Sequence, residues 1–279
     1  MDKKQIIEQK KFALRIRIET LTMLAILGNG HAGGSLSIAD CLSVLYNGQM
    51  KIDPQNPDWE ERDYFVMSKG HCGPALYATL ALKGYFPMEE LKTLNQIGTS
   101  LPSHSDRTKT VGVDMSTGSL GQGVSAALGM ALGLKIDKKD NYVFAIIGDG
   151  EAQEGQVWET MMIAPNKCAK NFIVIMDDNK QQLDGFCSDI NDIGDAAKKA
   201  EAFGWFAVTC DGHDVVAIND AINQCKAADK PGFISLQTIK GKGWKKIEGD
   251  PGNHAVKGMS LENIADALAD LNQQLAELS

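Results

Sequence analysis

The sequence predicts an α/β fold in which helices cover both faces of a mostly parallel central sheet. Short apolar or β-branched runs predict four buried strands, at 142–147, 172–176, 206–210 and 233–239. Helical patterns fall between and before these strands, at 155–169, about 194–203 and 214–228. Strands that alternate with helices imply right-handed crossovers between parallel neighbours. We therefore expect three layers: helices, sheet, helices.

The first 135 residues are mostly helical by pattern, and the chain closes with another helix. The clearest early helices are predicted at 37–48, 73–84 and 118–135. Ser260 is expected to cap the last helix, whose apolar positions Ile264, Leu268, Leu271 and Leu275 share one face. Because the sequence contains no internal repeat, low-complexity tract or flexible linker, we predict a single domain over residues 1–279.

Composition excludes several classes of function. The chain has 279 residues, 43% hydrophobic content and a formal net charge of −8, with no basic run, which argues against nucleic-acid binding. The first 21 residues scatter charges among apolar positions, so we expect neither a signal peptide nor a membrane span. The six cysteines show no CxxC pair and no zinc spacing, which indicates reduced thiols and a cytoplasmic protein.

Two successive predicted strands end in polar groups. The segment "AIIGDGEAQEGQ" at 145–156 places Asp149 after an apolar run, and Asn179 follows the next strand. A lone Gly-Asp-Gly favours a tight turn, because glycine takes positive φ at little cost. Parallel strands, however, deliver both residues to the same edge of the sheet, where ligands bind in such folds. Carboxylate and amide oxygens suit magnesium or calcium.

The motifs around Asp149 and Asn179 resemble those of a known family. GDG followed after about thirty residues by Asn resembles the thiamine diphosphate signature, and "GDGEAQEGQVWE" with "DDNKQQLDG" resembles the transketolase family. The resemblance implies a thiamine-diphosphate-binding fold and a thiamine diphosphate cofactor held through Mg²⁺, with Ca²⁺ or Mn²⁺ as alternatives. It implies Asp149, Asn179 and the main-chain oxygen of Gln181 as metal ligands, and Gly150 beside the diphosphate.

Four of the five histidines lie in loop contexts: His31, His71, His104 and His254. Taken singly, each is expected to be a capping or surface residue. All four match transketolase positions in order, and the resemblance spans the chain from His31 to Gly258. It implies that His31, His104 and His254 border the reacting sugar, and that His71 and His254 lie close to the diphosphate. The fifth, His213, is interpreted as structural.

Two further segments carry the resemblance, and two depart from it. "MSTGSLGQG" at 115–123 resembles the segment that contacts the aminopyrimidine and linker of the cofactor, which implicates Gly118 and Leu120. Glu154 matches a glutamate that supports the cofactor-activating carboxylate across a subunit interface. The family usually has Gly-His-Pro where this chain has "PSHSD" around His104, and "GKGWKKIEGDPGNH" also differs. These departures affect the expected substrate more than the cofactor.

Full transketolases are roughly twice as long, and this chain resembles only their first, diphosphate-binding part. We therefore expect the N-terminal subunit of a split transketolase, a catalytic chain that transfers a two-carbon ketol group from a ketose or ketose phosphate to an aldose or aldose phosphate. A separate C-terminal subunit, with two copies of each chain, would supply the activating glutamate and most of the basic residues that hold a sugar phosphate.

Three alternatives remain at this stage. A magnesium-dependent phosphatase or phosphotransferase would use Asp149 or Asp178 as nucleophile, but it requires an aspartate pair two residues apart and "IMDDN" lacks that spacing. A non-catalytic relative would not be expected to keep the metal ligands and four histidines. The third is a subunit of another thiamine-dependent enzyme, of the 2-oxo acid dehydrogenase or xylulose-phosphate synthase type. The sequence leaves the sugars, their phosphorylation and the stoichiometry open.

Overall fold

A five-stranded, entirely parallel sheet forms the centre of the chain in a computed structural model, which describes residues 1–183 and 185–278. Its strands are β1 (Tyr64–Met67), β2 (Val143–Gly148), β3 (Phe172–Asp178), β4 (Phe206–Asp211) and β5 (Gly232–Gln237). They are ordered β1-β2-β3-β5-β4. The four predicted strands are confirmed, with ends shifted by at most two residues. The predicted domain extends to Ser279, which lies outside the described residues.

Helices cover both faces of this sheet. They are α1 (Lys3–Leu27), α2 (Ala32–Ser37), α3 (Ala39–Val44), α4 (Gly73–Lys83), α5 (Gln122–Ile136), α6 (Gly155–Asn166), α7 (Cys187–Ile190), α8 (Ala196–Phe203), α9 (Val215–Ala227) and α10 (Ala265–Glu277). One face packs against α1, α3, α4, α9 and α10, and the other against α5, α6 and α8. Two short antiparallel ribbons complete the structure, Asn29–Gly30 with Val256–Lys257 and Gln181–Gln182 with Gly185–Phe186.

The strands β2, β3 and β5 read as nearly continuous apolar runs because both of their faces are buried, whereas the edge strand β4 is partly exposed. In β2, Phe144 and Ile146 enter one core layer, whereas Val143, Ala145 and Ile147 enter the other. All five side chains are completely buried. Such strands lose the polar alternation of a half-exposed sheet. The predicted three-layer α/β class is confirmed.

Several predicted boundaries were wrong. The first part of the chain also contains β1, a four-residue edge strand that was not predicted, because its apolar run, YFVM, is short and is preceded by a charged segment. The helix predicted at 37–48 breaks after Ser37 and ends in a π-helical turn, Leu45–Gln49. Ser260 does not cap α10: its Oγ accepts the Asn263 N–H at 3.2 Å, and the helix begins only at Ala265.

The strand register aligns the carboxyl ends of the central strands. Gly148 pairs with Asp177, and Asp178 pairs with Gln237, so the segments after β2, β3 and β5 emerge side by side. The predicted site residues that follow these strands are therefore expected at the carboxyl edge of the sheet.

Among the described residues, none of the helices combines the length and the hydrophobicity of a membrane span.

Candidate cofactor and catalytic site

Asp149 lies at the end of β2 and is only 5% exposed. Its N–H donates to the Asp177 carbonyl at 3.3 Å, and its Oδ1 accepts the Gly150 N–H at 2.8 Å. Its Oδ2 is buried without a hydrogen-bond partner among residues 1–183 and 185–278. Burial, and next the carboxylate of Asp177, raise the pKa of Asp149 to about 7. A buried carboxylate oxygen without a hydrogen-bond partner is energetically unfavourable, and a bound cation would compensate it.

Asn179 lies next to Asp149 at the end of β3, as predicted. Its Oδ1 accepts the Gln181 N–H at 3.0 Å, and its Nδ2 donates to Asp177 Oδ2 at 2.8 Å. Gln181 is also buried, and its Nε2 donates to the Gly249 carbonyl at 2.8 Å. The three predicted metal ligands thus occupy two adjoining strand ends. An aspartate oxygen, an amide oxygen and a backbone carbonyl are hard ligands suited to Mg²⁺.

These residues line a cleft of about 430 Å³ at the carboxyl edge of the sheet. Among the predicted site residues, it brings together His71, Leu120, Asp149, Gly150, Glu154, Asn179, Gln181 and His254. His31, His104 and Gly118 are not part of its lining. His31 instead lines a neighbouring cavity of about 400 Å³. Of the three histidines predicted to border the sugar, His254 therefore lines the cleft, His31 lines the neighbouring cavity, and His104 lines neither.

The four loop histidines form one cluster. The ring centroid of His31 lies 5.2 Å from His71, 5.8 Å from His104 and 5.2 Å from His254, and His71 lies 5.0 Å from His254. They come from four segments far apart in the chain, so only the family resemblance, and no local pattern, predicted that they lie together. Burial lowers the pKa of His31 and of His104, and lowers that of His71 well below its usual value.

This cluster is not a zinc-type centre. Across the described part of the chain, no group of three or more His, Cys, Asp or Glu side chains is arranged to hold a metal ion. With lowered pKa values, His31, His71 and His104 are neutral near pH 7. Neutral imidazoles are suited to exchange protons with hydroxyl groups.

The glycines and the glutamate predicted for the cofactor occupy defined positions around the cleft. A Cβ on Gly150 would lie 2.6 Å from Gln182 Cβ, so the tight packing of this turn itself requires glycine. Gly118 has a φ of +155° and faces the His104 ring. Glu154 is exposed at the rim. These positions are compatible with contacts to a bound cofactor, and the roles of the residues stay predictions.

Several residues at the site were missed by the sequence argument. Lys240 lines the cleft, is 2% exposed and donates from Nζ to the Leu183 carbonyl at 3.0 Å. Burial lowers its pKa. Glu151 is buried and accepts hydrogen bonds from Ser68 Oγ, the Gly121 N–H and the Gly148 N–H. The glycine-rich "IKGKG" stretch directly after β5 was the available signal for Lys240.

A buried ion pair lies beneath the predicted metal ligands. Lys69 Nζ lies 2.5 Å from Asp177 Oδ2, and both side chains are almost completely buried. Burial alone would lower the pKa of Lys69, but Asp177 raises it. Burial alone would raise the pKa of Asp177, but Lys69 lowers it. Both groups are therefore charged in the folded chain.

His213 lies outside the cleft, in the loop between β4 and α9. Its Nδ1 lies 2.9 Å from Asp40 Oδ2, and its Nε2 accepts the Ile239 N–H at 2.9 Å. Both ring nitrogens are thus used within the protein, in agreement with a structural role.

Comparisons with known proteins agree with this geometry. A family model described as "Transketolase, thiamine diphosphate binding domain" matches residues 8–276. The chain belongs to the transketolase family. A 6-deoxy-6-sulfo-D-fructose transketolase subunit from Clostridium sp. (strain MSTE9) is 51% identical over 260 residues, which are 93% of this chain and 94% of that protein. An apulose-4-phosphate transketolase subunit from Actinobacillus succinogenes is 36% identical over 95% of this chain and 96% of its own.

Solved structures are similar over only part of their length. The transketolase of Campylobacter jejuni superimposes with a TM-score of 0.89 at 32% identity, covering 98% of this chain and 43% of that one. This chain thus spans less than half of that protein. These findings confirm the predicted family, the fold class and the assignment as a transketolase N-terminal subunit. They also favour transketolase over the three alternatives.

Proposed function

We propose that this chain holds thiamine diphosphate through Mg²⁺ and acts as one half of a two-chain transketolase that moves a two-carbon ketol group between sugars. The observation that carries the proposal is the buried Oδ2 of Asp149, which has no hydrogen-bond partner among the described residues and lies in a cleft also lined by Asn179, His71 and His254. Ca²⁺ or Mn²⁺ would suit the same oxygen ligands.

Residues of this chain would hold both the cation and the diphosphate of the cofactor. Asp149, Asn179 and the Gln181 carbonyl would hold the cation, while Lys240 and His71 would face the diphosphate oxygens. A buried ammonium group is a strong partner for phosphate. Leu120 and Gly118 would contact the linker and aminopyrimidine. When bound, the cofactor supplies the thiazolium that acts as electron sink for breaking the carbon–carbon bond.

The histidine cluster would handle the protons of the sugar. His31 and His104 have lowered pKa values, so each is neutral and able to accept a hydroxyl proton and return it later. His254 lines the cleft and lies 5.2 Å from His31 between ring centroids, which suits a residue shared by cofactor and sugar. The sugar would therefore enter from the side of His31 and His104.

A second polypeptide would complete the site. Relatives that match over nearly their whole length are named as subunits, and Glu154 is exposed at the cleft rim, where it would support a carboxylate of the partner. A partner with basic residues would offset the net charge of −8 toward an anionic sugar. We propose two copies of each chain, with cofactors between them, in the cytoplasm.

Purifying this chain alone and with a C-terminal transketolase subunit tests the proposal. With Mg²⁺ and thiamine diphosphate, two-carbon transfer should appear only when both chains are present. 6-Deoxy-6-sulfo-D-fructose, the sugar in the name of the 51% identical relative, and fructose 6-phosphate are the donors to compare first. Robust turnover by this chain alone would contradict the split-enzyme proposal. Transfer from pyruvate but from neither sugar would contradict the reaction type.

A further inference from the structure

Asp177 is completely buried at the end of β3 and accepts an unusual number of hydrogen bonds. Its Oδ2 accepts from Lys69 Nζ at 2.5 Å, Ser37 Oγ at 2.7 Å and Asn179 Nδ2 at 2.8 Å. Its Oδ1 accepts from Thr238 Oγ1. Four different segments of the chain therefore hold one carboxylate in place.

The bond from Asn179 matters because the two ends of an amide are chemically different. Only Oδ1 of Asn179 is able to ligate a cation, whereas Nδ2 would repel it. The Asp177 carboxylate accepts from Nδ2, and the Gln181 N–H donates to Oδ1. Together these two hydrogen bonds fix one of the two orientations of the Asn179 amide and leave a lone pair of its Oδ1 available to a metal ion.

Lys69 keeps the acceptor in this position. A buried carboxylate without a partner is unstable in the protein interior, and the Lys69 ammonium compensates its charge. Lys69 Nζ also donates to the Gly34 carbonyl at 2.9 Å, which ties the end of β1 to α2. In addition, the Asp177 carbonyl accepts the Asp149 N–H at 3.3 Å. The same residue thus contacts both predicted side-chain ligands.

We propose that Lys69 and Asp177 form a buried positioning pair that fixes the amide of Asn179 with Oδ1 toward the cation site. Neither residue ligates the metal. The inference rests on the proposed metal site and adds two residues to it, since metal ligands in proteins are commonly oriented by hydrogen-bonded groups behind them.

Two charge-neutral double variants separate the positioning role from the charge of the pair. Lys69→Met with Asp177→Asn removes both charges and keeps an oxygen that accepts from Asn179 Nδ2. Lys69→Met with Asp177→Leu removes both charges and the acceptor as well. The readout is Mn²⁺ affinity of the full-length chain in the presence of thiamine diphosphate, measured by EPR, with thermal unfolding as the check on folding.

We expect the Asn-containing variant to stay close to wild-type affinity and the Leu-containing variant to bind Mn²⁺ roughly 10- to 100-fold more weakly. Equal affinities in the two variants would overturn the positioning role. If the wild-type chain itself bound no Mn²⁺ with the cofactor, the metal site and this inference would both be overturned. Wild-type binding with both variants unimpaired would overturn the inference alone.

A measurement on the unmodified chain covers the case in which the Leu-containing variant fails to fold. In the metal-free wild-type protein, the side-chain NH₂ of Asn179 should give a resolved pair of NMR signals with slow solvent exchange, because one proton is donated to a buried carboxylate. Rapid exchange of both protons would contradict a fixed orientation.

Discussion

Two Asp-Gly pairs lie at the carboxyl edge of the same sheet, and their side chains have opposite environments. Asp211, at the end of β4, is exposed, and its Oδ1 accepts the His213 N–H at 2.8 Å, as in an ordinary turn. Asp149, at the end of β2, is buried, with an oxygen that no described residue satisfies. The dipeptide is the same, and burial distinguishes the predicted metal ligand, Asp149, from the turn residue, Asp211.

This contrast gives a matched test of the metal site. Asp149→Asn should weaken Mg²⁺-dependent binding of thiamine diphosphate by more than the roughly 10- to 100-fold seen for residues behind metal ligands, because a direct ligand loses its negative charge. Asp211→Asn, at the same sheet edge, should leave binding unchanged. Isothermal titration calorimetry on both variants measures the difference, and equal affinities would remove Asp149 from the site.

The histidine cluster allows binding and chemistry to be separated. His31→Ala and His104→Ala should each keep cofactor affinity, because neither residue lines the cleft of Asp149. Turnover with the partner subunit should fall by about 10²–10⁴-fold, which is the usual contribution of a general acid–base group. A variant with a normal rate of ketol transfer would show that its histidine has no part in proton movement.

At the scale of elements, α5 owes its close approach to β1 to a single glycine. A Cβ on Gly123 would lie 2.6 Å from Ser68 Oγ and 2.7 Å from Ser68 Cα, so the helix start packs directly on the end of the strand. Ser68 Oγ in turn donates to Glu151, which also accepts the Gly121 N–H. On the same helix, Gly129 is exposed, with no described atom within 4 Å of an added Cβ.

Alanine at these two positions should therefore have opposite effects on stability. Gly129→Ala should raise the free energy of unfolding by about 0.5–1 kcal/mol, because alanine costs less backbone entropy in a helix. Gly123→Ala should lower it by about 1–3 kcal/mol, because the contact with Ser68 involves backbone and cannot relax cheaply. Urea unfolding of the chain alone measures both, and a stabilising Gly123→Ala would contradict the described packing.

At the scale of the whole molecule, one buried charge network joins distant parts of the chain. Arg17 in α1 makes two hydrogen bonds to Asp40 in α3, and the His213 ring lies 2.9 Å from the same carboxylate. Arg17 Nε also donates to the Lys242 carbonyl at 3.0 Å. The network therefore ties two helices to the loops after β4 and β5.

This network predicts a defined loss of stability in acid. Burial alone would raise the pKa of Asp40, but Arg17 and His213 lower it from 3.8 to about 2. A lowered folded-state pKa stabilises the fold above the unfolded value, and that contribution disappears as the pH falls from about 4 through about 2. It amounts to about 2 kcal/mol. In Asp40→Asn, the difference between unfolding free energies at pH 6 and pH 2 should shrink by that amount. An undiminished difference would show that Asp40 is not the group responsible.

The sequence by itself determined the fold class and predicted the candidate site residues, whose roles stay predictions. Strands buried on both faces must be apolar throughout, so β2, β3 and β5 could be read directly, whereas β4 is a partly exposed edge strand that was found from its β-branched and apolar run. Parallel strands must end at one edge, so Asp149 and Asn179 could be placed together. The short edge strand β1 was not predicted because an apolar run of only four residues carries too little pattern.

Only the tertiary structure decided what those residues do to one another. The burial of Asp149, the ring distances among the four loop histidines and the pairing of Lys69 with Asp177 all arise between segments far apart in the chain. No local pattern encodes them, because a lysine or aspartate reads as a surface residue until a partner is buried with it. Composition and periodicity specify the secondary structure and the fold class. Desolvation and hydrogen-bond geometry determine the chemistry of the site, and both depend on tertiary packing.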